Sequence, residues 1–222
     1  MTANTIRYGL AAAISMTALF GSSQVSAYSA GDTIVRGGLI SAVPGGSYSG
    51  VDRGAFLRAD SDEAFGLSVG YMMTESLAVE LLVVSPFEHD IEARSLNGGD
   101  IGSTNHLPPT LTAVYYPVSG KDLGWDVDIK PYLGVGVNYT TFWDEQLNAT
   151  GQTATGFNNL SLDDSFGVAG QIGIDVPIND AWSLGASAYY IDLDTDAELD
   201  GNDIGTVDID PAVYRANIVY RF

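Results

Sequence analysis

A chain of 222 residues with 28 acidic and 9 basic side chains, a net charge of -19 and a pI near 4.1 has too few cations to neutralise phosphates, which excludes a nucleic-acid partner. The lack of cysteine excludes disulfide staples and thiolate metal sites, and 45% hydrophobic against 17% charged residues is too apolar for a disordered chain. The length suits one domain. Residues 1–27 carry a single charge, Arg7, followed by an apolar run from Leu10 to Phe20 and small residues up to Ala27. That pattern predicts a signal peptide, because the run is too short for a hydrocarbon core of about 30 Å and Val25 and Ala27 supply the small residues before a cleavage point. Cleavage after Ala27 would leave residues 28–222 as the mature domain. Arg7 is the one charge removed, so 8 basic and 28 acidic side chains remain, a net charge of -20. No later run of 18 apolar residues exists, so no transmembrane helix is expected.

From residue 32 onward the apolar residues recur with period two, in stretches separated by Gly, Asp, Asn, Ser and Pro clusters. Eight strands are predicted, over Thr33–Ser41, Ala64–Met73, Leu77–Val84, Thr110–Pro117, Ile129–Thr141, Ser165–Val176, Trp182–Leu193 and Val207–Phe222. Their connections alternate in length. Thr74-Glu75-Ser76 and Pro177 to Ala181 are turns, whereas Ala42–Glu63 and Ser85–Pro109 are long loops, with Val118–Asp128 the one connection longer than its place in the alternation requires. An eight-stranded antiparallel transmembrane β-barrel of a bacterial outer membrane explains this asymmetry, with short periplasmic turns and long extracellular loops. In the final strand Tyr214, Ala216, Ile218, Tyr220 and Phe222 share the lipid face, and Arg215, Asn217 and Arg221 the lumen face. The terminal aromatics Tyr220 and Phe222 resemble a sorting signal for the barrel-assembly machinery. Closure is required because hydrocarbon satisfies no open backbone group.

Strand parity also assigns the lumen. Gly38, Gly134, Gly136, Gly167, Gly173 and Gly185 point inward, where small residues leave room in a narrow barrel. In the third strand Leu77, Val79, Leu81 and Val83 face lipid, which turns Ala78, Glu80, Leu82 and Val84 inward. With Val114, Tyr116, Tyr132, Tyr189 and Ile191 they give a lumen expected to be apolar in its middle. Inward charges, Arg36, Glu80, Lys130, Asp175 and Arg221, fall toward strand ends on the periplasmic side and predict a paired charged base. The sharper expectation for that base is a plug that blocks aqueous flow and sends an apolar solute sideways through the wall.

Several separate stretches together resemble the outer membrane protein W (OmpW) family, over essentially the whole mature chain. They are Val79-Glu80-Leu81-Leu82 followed by Ser85-Pro86-Phe87, His106-Leu107-Pro108-Pro109-Thr110-Leu111, the run from Lys130 to Phe142, Asp164-Ser165-Phe166-Gly167, and Tyr220-Arg221-Phe222. The resemblance implies a narrow hydrophobic channel associated with passage of small hydrophobic molecules across the outer membrane, with Leu82 and Tyr189 narrowing its lower part. The channel-lining set expected is Leu82, Val84, Val114, Tyr116, Tyr132 and Tyr189.

Other constellations point to blander roles. Asp196, Glu198, Asp200 and Gly201 match positions 1, 3, 5 and 6 of a helix-flanked calcium loop, but position 12 is Val207 and no flanking helices are evident, so a solvated acidic loop is expected. His89 and His106 share the second long loop and are read as mouth-lining or packing residues and not as metal ligands. No nucleophile motif stands out, no enzyme activity is expected, and no cofactor or metal is predicted. Gly134-Val135-Gly136 lies within a strand and lacks the helix that a phosphate cradle needs. The expected partners are outer-membrane lipids, lipopolysaccharide and small hydrophobic solutes. The competing expectation is a structural or surface-recognition barrel with a packed lumen, whose acidic loops bind lipopolysaccharide, ions or other macromolecules.

Overall fold

A strand that alternates without a break has a different environment on each face, and Leu77–Val84 does so: Leu77, Val79, Leu81 and Val83 are 39% to 44% exposed, while Ala78, Glu80, Leu82 and Val84 are buried. The computed structural model describes residues 27–45, 49–51, 55–59, 62–93, 99–118 and 129–222. The predicted signal segment up to residue 26 and most of the 118–128 connection lie outside the described residues.

The strands are β1 (Thr33–Val43), β2 (Ser49–Val51), β3 (Ala55–Ala59), β4 (Asp62–Met72), β5 (Leu77–Val84), β6 (Phe87–Ala93), β7 (Gly99–Leu107), β8 (Thr110–Tyr115), β9 (Lys130–Leu147), β10 (Leu160–Leu162), β11 (Ser165–Pro177), β12 (Trp182–Ile191), β13 (Asp194–Leu199), β14 (Asn202–Asp208) and β15 (Ala212–Arg221), with one short helix, α1 (Ala149–Thr155). Eight of them, β1, β4, β5, β8, β9, β11, β12 and β15, run antiparallel to one another in that order. The sheet closes where β15 returns to β1, with Val35 opposite Tyr220. These are the eight predicted strands. Leu39, Phe65, Val135, Phe166 and Ile172 stand out from the wall at 57% to 72% exposure, which only a hydrocarbon surrounding makes favourable. Aromatic side chains ring both ends of this apolar belt, Tyr71, Tyr115 and Trp182 at the periplasmic rim and Tyr139, Tyr190 and Tyr214 at the opposite one.

The long loops are themselves folded, which corrects the expectation of loops at Ala42–Glu63 and Ser85–Pro109. The lower half of β9 pairs with β8, and its upper half leaves the barrel to pair with β7. From there the sheet continues through β6 and β3 to β2. A second sheet, β10–β13–β14, joins it above the rim. Ile91, Ile101, Leu147, Leu160, Ala197, Leu199 and Ile204 form a separate core in this extension. The predicted last strand also starts late: Val207 and Asp208 belong to β14, and Asp210, at φ 39, with Pro211 breaks the chain before β15.

The acidic segment that imitates a calcium loop is the β13–β14 hairpin. Asp200 and Gly201 both have positive φ, 49 and 76, as a two-residue Asp-Gly hairpin turn requires. The Asp200 carboxylate accepts hydrogen bonds from the Asn158 and Asn159 backbone amides, the latter at 2.9 Å, and from Asn159 Nδ2 at 2.9 Å. These donors, the Asn158 amide first, hold its carboxyl below the usual aspartate range. The contribution of this contact is therefore present above an ordinary aspartate pKa of about 3.9 and lost as pH falls through the lower folded value. Amide hydrogen exchange at Asn158 and Asn159 should lose protection on acidification and be indifferent to mildly alkaline pH, and Asp200→Asn should remove that acid dependence.

Candidate functional site

The lumen side chains fall into three layers. At the periplasmic end Tyr28, Ile34, Met72, Ala78, Val114, Tyr116, Tyr132 and Val219 pack together. Toward the outside a larger cluster includes Ile40, Leu82, Val84, Phe87, Phe142, Tyr189 and Ile191. Between them lies a charged layer. Chain positions fix this order for three of its members: Arg36 falls between Ile34 and Ile40 on β1, Glu80 between Ala78 and Leu82 on β5, and Arg215 between Val213 and Val219 on β15, while Asp175 on β11, opposite Lys130, stands at the level of the periplasmic cluster.

The charged layer is a neutral quartet. Arg36 pairs with Glu80 through Nη1 and with Asp175 Oδ2 through Nη2 at 2.7 Å. Arg215 Nη2 lies 3.5 Å from Glu80 Oε1, while its Nε and Nη1 donate to Ser187 Oγ at 3.1 Å and Ser68 Oγ at 3.0 Å. Tyrosines complete it. Tyr189 OH donates to Glu80 Oε1 at 3.0 Å, Tyr28 OH to Asp175 Oδ2 at 2.8 Å, and Tyr116 OH accepts from Arg36 Nη2 at 2.7 Å. The Arg36 and Arg215 guanidinium groups also lie 5.2 Å and 5.4 Å from the ring centres of Tyr132 and Tyr189. All four charged residues are at most 3% exposed, so ionisation is tolerable only because each charge has an opposite partner and further hydrogen bonds. Glycines shape the inner wall around them: a Cβ at Gly173 would fall 2.3 Å from Tyr132 Cζ, and one at Gly185 would fall 2.9 Å from Asp175 Oδ1. The room that small residues leave is filled by the neighbours' polar ends.

Two features of the predicted lumen change. The charged cluster spans a range of heights: Asp175, opposite Lys130 and beyond Gly173, which faces Tyr132, stands at the level of the periplasmic cluster, and Arg36 and Glu80 stand one inward position above its Ile34 and Ala78. The six predicted lining residues do not form one set either: Leu82, Val84 and Tyr189 belong to the outer cluster, and Val114, Tyr116 and Tyr132 to the periplasmic one. Of the five predicted base charges, Arg36, Glu80 and Asp175 meet. Lys130 stands over the Tyr28 ring, Nζ 4.0 Å from its centre, and opposite Asp175 in the β9–β11 ladder, and Arg221 at the rim donates to Ala27 O at 2.9 Å and lies 3.7 Å from Asp32. The physical reason is that parity assigns a face but not a height, which strand stagger sets. Arg215 and Tyr28 complete the site beyond the predicted residues. Arg215 is legible as an inward charge of the last strand, whereas Tyr28 precedes every strand and carries no periodicity.

The wall has a lapse at the level of the outer cluster. The β5–β8 ladder ends at Leu82 opposite Thr110, and pairing resumes only at Phe87 opposite His106, so residues 83–86 and 107–109 have no register across this seam. Pro86, Pro108 and Pro109 lie here and have no amide hydrogen to offer. Asn138 compensates from the neighbouring strand, its Nδ2 donating to Pro108 O at 3.2 Å, Pro109 O at 3.3 Å and Thr110 Oγ1 at 2.9 Å. Above the seam His106 stacks on Phe87 at 5.3 Å and leans on Phe142 at 5.7 Å. The His89 side chain lies outside the described residues. At the chain end Tyr220 packs edge-on between Trp182 and Phe222, at 4.6 Å and 4.5 Å.

A closed antiparallel barrel with an apolar belt, aromatic girdles and a lumen of its own defines an integral protein of the bacterial outer membrane, set among its lipids. The chain belongs to the OmpW family, whose profile matches residues 29–222. Outer membrane protein W of Vibrio cholerae is 39% identical over 218 residues, spanning 94% of this chain and 97% of that protein. The Escherichia coli protein of the same name is 39% identical over 220 residues, spanning 95% and 97%. The crystal structure of OprG from Pseudomonas aeruginosa superposes with a TM-score of 0.78 at 35% identity, covering 89% of this chain and 99% of that one.

Proposed function

We propose that this barrel admits small apolar solutes from the outside into the upper lumen and releases them sideways into the outer membrane through the seam between β5 and β8. The observation that carries this reading is a coincidence of two things at one height, with a third below them. An apolar cluster that includes Leu82, Val84 and Phe87 forms the inner lip of the seam, the backbone ladder lapses beside it, and the charged quartet stands below. An apolar molecule that has shed its water gains about 25 cal/mol per Å² of buried surface, and entering the quartet would forfeit that gain without breaking any of its ion pairs usefully. The sideways route into lipid is downhill and needs no energy source. The Dibenzothiophene metabolism operon protein PahQ of Pseudomonas aeruginosa is 25% identical over 157 residues, spanning 70% of this chain and 64% of that protein, and its name links it to an apolar aromatic compound. In this reading the segment 1–27 is removed on export, and Tyr220 and Phe222 present the chain end to the assembly machinery.

One observation favours a second reading, a packed structural barrel whose acidic loops bind lipopolysaccharide, ions or other macromolecules: Leu82 and Tyr189 are 3% and 2% exposed, so side chains fill the upper lumen in this conformation. Uptake of a small hydrophobic fluorescent probe decides between the two, measured in Gram-negative cells lacking their own homologue, with and without the protein, after heat-modifiable gel migration establishes folding. Faster uptake is expected. Unchanged uptake with a folded barrel would transfer the function to the loops.

A further inference from the structure

Tyr28 lies below the quartet, ahead of the first strand, and takes no part in any ladder, yet it is 2% exposed. Its surroundings match a phenol on every side. Lys130 Nζ stands 4.0 Å from the ring centre, and the Tyr116 ring meets it edge-on at 5.1 Å. Its hydroxyl donates to Asp175 Oδ2 at 2.8 Å, a charge-assisted bond. These walls belong to the barrel and hold their own positions: Arg36 fixes both the Asp175 carboxylate and the Tyr116 hydroxyl, at 2.7 Å each.

The segment that delivers Tyr28 is fastened separately. Residues 29–32 form a tight turn in which Asp32 N donates to Ser29 O at 3.1 Å and Ser29 N donates to Asp32 Oδ2 at 2.8 Å. Gly31 takes φ 96, a conformation that favours glycine, and two backbone bonds to Met72, from Gly31 N at 2.8 Å and to Asp32 O at 2.9 Å, tie the turn to the rim. The turn can therefore hold while the residue before it leaves the lumen.

We propose that the base of the lumen is a binding site for a small para-substituted phenol, and that Tyr28 is its tethered occupant. The cation over the ring face and the aromatic edge select a π-system, and the carboxylate selects a hydroxyl upon it. An aliphatic alcohol meets only the last demand, and a plain arene only the first two. A tether this short presents Tyr28 at an effective concentration in the millimolar range or above, so the parent protein keeps the site filled by its own chain. The site lies beneath the quartet and is independent of the uptake route above it.

The test uses the exported, processed protein with Tyr28→Ala, its N-terminus verified by intact mass, and 4-methylphenol as the probe with toluene as the control. The variant should unfold at a lower temperature than the parent, with 4-methylphenol raising its transition saturably by mass action, toluene raising it less, and the parent not responding at the same concentration. Equal shifts by both compounds, equal shifts of parent and variant, or an unlowered transition in Tyr28→Ala would each overturn the site. Tyr28→Phe keeps the ring in place and should not respond to 4-methylphenol; a response like that of Tyr28→Ala counts against the proposal. Should Tyr28→Ala fail to assemble, its refolding yield takes the place of the transition, with recovery by 4-methylphenol alone as the supporting result and recovery by both compounds or neither as the refuting one.

Discussion

Arg36→Leu is expected to lower the stability of the barrel by about 3 to 5 kcal/mol, the usual consequence of removing one partner from a buried ion pair. The single guanidinium serves two carboxylates, Glu80 and Asp175, which are 1% and 0% exposed. Their fates differ. Glu80 keeps Arg215 at 3.5 Å and the Tyr189 hydroxyl at 3.0 Å, whereas Asp175 loses its guanidinium partner within the layer and keeps the hydroxyl of Tyr28 on Oδ2. Of the two carboxylates, Asp175 therefore loses its ion pair within the layer and Glu80 retains one. Arg36→Leu combined with Asp175→Leu should recover most of the loss, and Arg36→Leu combined with Glu80→Leu should recover less, since Arg215 is then stranded as well. Urea unfolding of the reconstituted barrel, monitored by the heat-modifiable gel shift, reads all of these variants. A single-mutant loss below about 1 kcal/mol would mean that water reaches the layer and screens it as it does a surface pair.

The same quartet shows where sequence stops being informative. A strand exposed to lipid on one face writes its parity into every second residue, so the alternation alone turns Glu80 and Leu82 inward and Leu81 outward. Height along the barrel axis leaves no such trace, because it depends on stagger between strands and on the reach of long side chains. For that reason parity groups Val114 and Tyr132 with Leu82 and Tyr189, which belong to a different cluster, and groups Arg221, at the rim beside Ala27 and Asp32, with charges of the lumen. The seam has the same origin. Pro86, Pro108 and Pro109 are visible in the chain, but only the register that sets Leu82 against Thr110 and Phe87 against His106 brings them to one gap. Above the rim the buried face of β13 carries only Thr195, Ala197 and Leu199 toward a small separate core, the alternation is written in smaller residues, and Asp200-Gly201 reads equally as a metal loop or a hairpin turn until its two positive φ angles decide.

Leu82 is where the two readings of the lumen separate most widely, because it forms the last rung of the β5–β8 ladder before the seam and belongs to the cluster behind it. Truncation to alanine removes buried methyl groups whatever the function, and a loss of about 2 to 5 kcal/mol follows if the neighbours do not collapse into the space. The route through the seam adds a second consequence that a packed barrel does not share: the gap widens beside the lip, and probe uptake should rise even as stability falls. Leu82→Arg reverses the sign. A guanidinium two residues above Glu80 brings a charge and its water into the apolar layer, and protein-dependent uptake should disappear while the heat-modifiable barrel still forms. Opposite changes in uptake from alanine and arginine at one position are the result expected of a conduit. Uptake that stays constant across both variants, with only stability changing, would identify Leu82 as a packing residue and the upper lumen as a closed core.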